Sequence, residues 1–180
     1  MPMAERPMDA LFVAMHDELR RLAEIQLRRL GPDLSLGAST LLHEAYLNLA
    51  DRDQVAFPDQ PHFLGYAARA MRSIVIDYAR KGLAQKRGGG EFAITLSNSL
   101  DGSQGAGSAD VSELERLSDA LDSLAQFEPR LAQLVDLHFF CGYSFVEIAE
   151  MRETSERTVQ RDWRKARIIL QHALQDVAGE

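Results

Sequence analysis

Apolar residues recur along this chain at the three- and four-residue spacing that is typical of amphipathic helices. The first stripe predicts one helix from Met8 to Leu30, which Gly31 and Pro32 are expected to end. Similar stripes predict further helices over about 41–49, 61–85, 112–124 and 129–141. The short apolar segment 92–96 is compatible with a strand, but we assign none there. The pattern therefore predicts an all-α fold.

The C-terminal part of the chain is predicted to form two helices joined by a tight turn. In the second helix, one apolar side consists of Val159, Trp163, Ala166 and Leu170. Ser155 is the expected N-cap of that helix, and Glu153 stands in the turn where glycine would be easier by about 1 kcal/mol. Together these features predict a helix-turn-helix, whose second helix enters the major groove of DNA.

The outward face of that second helix is polar and mainly basic. Its predicted contacts to DNA are Glu156, Arg157, Gln160, Arg161, Arg164 and Lys165. Arginine and glutamine are residues that read base edges. A merely solvated surface is the alternative interpretation. The small Ala149, where two helices must approach closely, and the apolar Val159 ten positions later favour the helix-turn-helix.

Glycine and serine dominate the segment between the two helical regions, a composition that is typical of flexible linkers. We therefore predict two small helical domains on a tether. The predicted N-terminal domain covers residues 1–90, the flexible Gly/Ser-rich linker residues 91–111, and the C-terminal domain with the helix-turn-helix residues 112–180.

Composition places the chain among ordinary globular proteins, with 180 residues and 46% hydrophobic content. No apolar run is long enough to cross a membrane, and the N-terminus lacks an apolar signal core. The single Cys141 excludes an internal disulfide and is expected to be a buried small hydrophobe. We therefore expect a cytoplasmic protein without a membrane partner.

The net charge of −7 is unfavourable for binding DNA, but the charges are unevenly distributed. Residues 69–87 contain six basic residues and one acid, whereas residues 101–128 contain seven acids and one arginine. Two basic elements are thus separated by an acidic middle. This distribution predicts weak DNA binding by the protein alone, with affinity supplied by a larger partner.

Three motifs in series carry a resemblance to a known family. They are Leu-Leu-His-Glu-Ala-Tyr-Leu at 41–47, the basic block at 63–87, and Thr-Val-Gln-Arg-Asp-Trp-Arg-Lys-Ala-Arg at 158–167. With these motifs in this order, nearly the whole chain resembles the extracytoplasmic-function (ECF) sigma factors of bacterial RNA polymerase. The branch with the His-Glu-Ala-Tyr-Leu and Arg-Asp-Trp signatures is the most similar.

The resemblance implies a subunit that directs RNA polymerase core to promoters. It implies that the N-terminal domain binds the clamp of the largest polymerase subunit, through Leu42, His43, Glu44, Tyr46 and Leu47. It implies contacts of the C-terminal domain to the minus-thirty-five element and to the flap of the second-largest subunit. The implied minus-ten residues are Arg69, Arg72, Ser73, Arg80, Lys81, Lys86 and Arg87. Phe63, Tyr66 and Tyr78 offer rings for base stacking, although we favour core packing for Phe63 and Tyr78.

The chain departs from the family pattern in two places. Members usually have asparagine where this chain has Ser73, and most carry an acidic cluster where this chain has Gly37-Ala-Ser-Thr40. A phosphate on Thr40, or on Ser39, would supply the missing negative charge at a helix N-terminus. We therefore hypothesise activation by a Ser/Thr protein kinase. The alternative is that one of these hydroxyls is an unmodified N-cap.

Two other classes of function compete with this interpretation. An enzyme is disfavoured, because the five histidines are scattered and His43-Glu44 lacks the second histidine of a zinc-protease helix. We predict no catalytic residues, no metal and no cofactor. A free-standing helix-turn-helix regulator is the remaining alternative, and the basic helix at 69–87 argues against the sensor domain that such a protein would need.

Overall fold

The computed structural model describes residues 7–30, 34–51, 56–85 and 111–176, and these residues form an all-α fold. Its helices are α1 (Pro7–Ala14), α2 (His16–Leu30), α3 (Ala38–Ala50), α4 (Gln60–Gln85), α5 (Val111–Phe127), α6 (Pro129–Val135), α7 (Phe145–Met151) and α8 (Glu156–Asp176). A π-helical turn, Asp136–Phe140, continues α6. The all-α prediction is confirmed.

The single helix predicted from Met8 to Leu30 is wrong, because the chain breaks at Met15 into α1 and α2. The backbone amide of Met15 still bonds to the carbonyl of Leu11 at 3.0 Å, so the break is a local turn. It lets Phe12 on α1 and Leu19 on α2 both reach the core, where they are 8% and 0% exposed.

The long helix α4 begins where the sequence predicts. Pro61 lies in its first turn, and the Asp59 carboxylate accepts the His62 backbone N–H at 2.9 Å, which makes Asp59 the cap. At Gly65 the helix passes so close to α6 that an added Cβ would lie 3.1 Å from Cγ of Gln133. Gly65 thus permits the close contact between α4 and α6.

The π-helical turn after α6 places several large side chains in the core. The Cys141 amide bonds to the Asp136 carbonyl at 2.9 Å, an i to i+5 bond that widens the helix by one residue. Gly142 then reverses the chain with φ of 76°, and an added Cβ would lie 3.3 Å from Cδ1 of Ile25 on α2. Cys141 is fully buried, as predicted.

Helices α7 and α8 form the predicted helical hairpin. Ser144 and Glu147 form a reciprocal capping box on α7. Ser155 accepts the Thr158 backbone N–H at 3.2 Å, so it caps α8 as predicted. The four predicted inward residues of α8, Val159, Trp163, Ala166 and Leu170, are all buried. Glu153 adopts the left-handed conformation, with φ of 51°.

The two predicted domains contribute to one continuous hydrophobic core. Buried residues of the cluster come from all eight helices and the π-helical turn, and α4 packs on α5, α6 and that turn. The predicted linker lies almost wholly outside the described residues, so the division into two domains stays a prediction. In the described part of the chain, no helix has both the length and the apolar character needed to span a bilayer.

His138 is the aromatic centre of the C-terminal hairpin. Its ring stacks on Phe145 at 4.3 Å and meets Trp163 edge-on at 4.6 Å, between centroids. Its Nδ1 lies 2.6 Å from the Tyr143 carbonyl oxygen, which requires the proton on that nitrogen. Burial lowers the pKa of His138, so the folded protein holds the ring neutral.

We expect acid to destabilise the fold through His138. Because its pKa is lowered in the folded state, the unfolded chain binds the proton more strongly below about pH 6.5, and stability falls there. Urea unfolding at pH 7.5 and pH 5.5 measures the loss. His138→Phe should reduce the difference between the two pH values. An unchanged pH dependence in His138→Phe would contradict this assignment.

Candidate nucleic-acid interface

The first two turns of α8 present an open, mainly basic surface. It is lined by Ser155, Glu156, Arg157, Thr158, Gln160, Arg161 and Arg164. Five of the six residues predicted to contact the minus-thirty-five element therefore lie together. Gln160 donates to the Glu156 carboxylate at 2.9 Å, and Arg161 lies 3.3 Å from the neighbouring Asp162 carboxylate.

The arginines of this surface are available to a ligand. Arg157 and Arg164 are exposed and form no hydrogen bond or ion pair with other described residues. Arg161 has a side chain that is 73% exposed. The sixth predicted contact, Lys165, is engaged instead, since its Nζ lies 2.6 Å from the Glu128 carboxylate beyond α5. An anionic ligand that approaches this surface would therefore contact Arg157, Arg161 and Arg164 first.

On α4, Arg69 and Ser73 border a cleft that α3 and α5 complete. The cleft is lined by Asn48, Tyr66, Arg69, Ala70, Ser73, Ile74, Asp77 and Asp122. Ser73 is exposed, and Arg69 is half-exposed with its Nε 3.0 Å from the Asp122 carboxylate. Two residues predicted to contact the minus-ten element therefore share one cleft, with an acid of α5 at its edge.

Arg72 lies in a different environment from its predicted neighbours. Its side chain is 1% exposed and donates to the Asp136 carboxylate on the π-helical turn. It also donates to Ser118 Oγ at 3.3 Å and to the Asp122 carboxylate at 3.4 Å. The guanidinium carbon lies 4.9 Å from the centre of the Phe140 ring. In this arrangement Arg72 offers no surface to DNA, and its predicted contact to the minus-ten element stays a prediction.

The C-terminal end of α4 carries the remaining predicted minus-ten cations. Arg80 donates to the Glu115 carboxylate on α5 and lies 3.5 Å from the Asp77 carboxylate. Lys81 is exposed, with its Nζ 5.8 Å from the Tyr78 ring centre. Lys86 and Arg87 lie outside the described residues.

One of the three aromatic residues of α4 lies in the core, and the other two are partly exposed. Phe63 is fully buried, which confirms the preference for core packing. Tyr78 is half-buried and donates its hydroxyl to the Glu44 carboxylate at 3.1 Å, so it joins α4 to α3. Tyr66 lines the cleft, and its ring centre lies 5.4 Å from that of Phe57.

The predicted polymerase-binding residues of α3 fall into two groups, one buried or hydrogen-bonded within the protein and one exposed. Leu42 is 5% exposed and belongs to the core. Tyr46 donates to the Asp9 carboxylate at 2.9 Å, and Glu44 accepts from Tyr78. His43 and Leu47 are exposed, Leu47 with 49% of its surface. A partner approaching α3 would therefore contact His43 and Leu47 directly.

Thr40 and Ser39 are exposed in the first turn of α3. The N-cap is Gly37, which has no side chain to bond the free backbone N–H groups, so the alternative that Ser39 or Thr40 is the cap is wrong. The first turn of α3 contains no acidic residue. Thr40 lies three and seven positions before His43 and Leu47, on the same side of the helix.

The sequence pattern missed the acids that bind the α4 cations. Asp122, Asp136 and Glu115 each pair with a residue of α4 that was predicted to contact DNA. The signal for Asp136 was present, because it is the single charged residue within the apolar stretch 131–137. A buried carboxylate requires a partner, but the spacing along the chain does not say which one.

The family model for "ECF sigma factor" matches residues 4–176. The chain belongs to the ECF sigma factor family. Members of this family are transcription initiation factors that direct RNA polymerase to promoters, so RNA polymerase core and promoter DNA are partners of this sigma factor. No curated protein and no solved structure matches the chain.

The buried pair of Arg72 and Asp136 should dominate the electrostatic stability of the sigma factor. Arg72→Met leaves the Asp136 carboxylate buried without its partner, and we expect a loss of about 3–5 kcal/mol in the free energy of unfolding. Arg69→Met removes a half-exposed pair, for which about 0.2–1 kcal/mol is expected. Chemical denaturation of both variants at pH 7.5 measures these values. Equal losses would contradict the central position of Arg72.

Proposed function

We propose that this sigma factor contacts the minus-thirty-five element through α8 and the minus-ten element through α4, while α3 docks on the polymerase clamp. The observation that carries the proposal is the outward face of α8, where three exposed arginines and Gln160 line one open surface. Arginine can bind guanine bidentately, and glutamine can bind adenine. The capped first turn of α8 holds these side chains on a rigid element.

The α4 cleft supports the assignment of the minus-ten contacts. It combines an exposed hydroxyl, a cation and a tyrosine ring in Ser73, Arg69 and Tyr66. Single-stranded DNA is bound by cations together with aromatic rings on which bases stack. Arg80 and Lys81 lie further along the same helix, where phosphate contacts would position the strand.

We expect Arg164→Ala and Arg161→Ala to reduce transcription from a promoter that the sigma factor recognises. Loss of one base contact costs about 1–3 kcal/mol, or roughly five- to 150-fold in affinity. Reconstituted transcription with polymerase core measures the effect. Arg28→Ala is the matched control, because Arg28 is an exposed arginine in the last turn of α2 and forms no hydrogen bond or ion pair with other described residues.

Binding of the promoter should also require polymerase core. A mobility shift with and without core separates the sigma factor from a free-standing regulator. Tight, sequence-specific binding by the isolated protein would contradict the proposed mode of action. Wild-type activity of both α8 variants would remove α8 from the interface with DNA.

The same proposal includes control by phosphorylation of Thr40. The hydroxyl is exposed, and the first turn of α3 offers backbone N–H groups and no acid. A phosphate there carries about −1.5 to −2 charge, and helix N-termini favour anions. It would add this charge beside His43 and Leu47, on the side of α3 that we assign to the clamp. Ser39 is the second candidate for modification.

Phosphothreonine at position 40 should strengthen binding to polymerase core by about tenfold or more, since close charge pairs across an interface contribute about 1.5–7 kcal/mol. Thr40→Glu should give part of the gain, and Thr40→Ala should bind as the unmodified protein does. Ser39→Ala, followed by kinase treatment, tests which hydroxyl is used. Equal affinity of the modified, unmodified and substituted proteins would exclude this control.

A further inference from the structure

We propose that Asn48 of α3 is a specificity-determining residue of this sigma factor, and that its side-chain amide binds the edge of an adenine that enters the cleft between α3 and α4. The residue lies on the helix opposite to the one that carries the predicted minus-ten contacts. This inference rests on the proposed function, because it assumes that the α4 cleft takes up part of the minus-ten element.

The packing of α3 on α4 places Asn48 at the cleft. The Tyr78 hydroxyl donates to the Glu44 carboxylate at 3.1 Å and fixes the two helices against each other. Asn48 lies four residues after Glu44, so it is one turn further along α3 on the same side. The two helices run in opposite directions, and Asn48 therefore meets the part of α4 that precedes Tyr78. There it lines one cleft with Arg69 and Ser73.

The amide of Asn48 is available to a ligand. Asn48 is exposed, and its side chain forms no hydrogen bond with other described residues. Arg69 in the same cleft differs, because its Nε lies 3.0 Å from the Asp122 carboxylate. Asn48 thus keeps both the donor and the acceptor of its amide for a bound molecule.

Asn48 offers the chemistry that the chain lacks at Ser73, where members of the family usually have asparagine. A serine hydroxyl has a single hydrogen to donate, whereas an asparagine amide holds a donor and an acceptor side by side. Such a pair can bind N7 and N6 of adenine at the same time. In this chain the amide lies on α3 instead of α4, and it lines the same cleft as Ser73.

The remaining surface of the cleft suits one base better than a phosphate. The cleft has a volume of about 310 Å³, at the lower end of the range for pockets that hold small ligands. Tyr66 and Ile74 add apolar surface against which a base can pack. The carboxylate of Asp77, at the same cleft, repels a phosphate but can accept a hydrogen bond from the exocyclic amine of a base.

Reconstituted transcription from a set of promoters tests the proposal. The templates derive from a promoter that the sigma factor recognises, and each minus-ten position carries each of the four bases in turn. With polymerase core, the wild-type protein should prefer adenine at one position by about fivefold or more, as expected for one bidentate contact. Asn48→Ala should reduce that preference to less than about twofold and leave the preferences at the other positions unchanged.

Two further variants separate recognition of a base from a general loss of activity. Ser73→Asn in the Asn48→Ala background returns an amide to the opposite wall of the cleft, and it should restore the preference for adenine. Asn48→Asp keeps an acceptor but loses the donor, so the preference should move towards cytosine, whose N4 amine donates to carboxylates. Gln126→Ala removes an exposed amide from α5 and should leave every preference unchanged.

The possible results distinguish failure of this inference from failure of the proposed function. If Asn48→Ala keeps the wild-type preference at every position, or lowers transcription from all templates by the same factor, Asn48 does not determine specificity and the proposed function stands. If Asn48→Ala removes a preference for another base, the assignment of adenine is overturned. A wild-type protein that directs no transcription, or that discriminates between no bases of the minus-ten element, would instead overturn the proposed function.

Discussion

A buried guanidinium is the constraint on which the packing of this protein depends. Removing Arg72 from water is costly, and its charge is compensated by two carboxylates, a hydroxyl and the face of Phe140. All four partners belong to the C-terminal half. Truncating one member of such a pair is expected to cost about 3–5 kcal/mol, whereas an exposed pair contributes at most about 1 kcal/mol. Arg72 therefore couples the two halves more strongly than the surface pairs do.

These contacts give the acidic residues of the chain a structural role. Taken from the sequence alone, the excess of acid in residues 101–128 predicts only weaker binding to DNA. Two of its members, Glu115 and Asp122, neutralise arginines of α4. By contrast, two outward arginines of α8, Arg157 and Arg164, have no acidic partner among the described residues. The acidic segment therefore pairs with arginines of α4 and, through Glu128, with Lys165 of α8, but it leaves Arg157 and Arg164 open.

The periodicity of apolar residues predicted those features of the fold that depend only on residues close together in the sequence. The inward residues of α8, the Ser155 cap and the start of α4 all follow from spacings of three or four residues. The break at Met15 was missed because apolar residues on both sides continue one stripe. The burial of Arg72 was missed for a different reason: its main partner, Asp136, is 64 positions away. Resemblance to a family likewise implies which residues would contact DNA, but it does not say which residues of the chain pack against them.

The packing of the helices that follow the π-helical turn, Asp136–Phe140, depends on the exact number of residues in that turn. One additional residue is accommodated there without ending the helix. Deleting it would restore a regular α-helix and rotate everything that follows by about 100°. His138 and Tyr143 would then leave their partners in α8 and α2. Insertions and deletions should consequently be far less tolerated here than substitutions, and relatives that lack the extra residue would need a differently oriented α7–α8 hairpin.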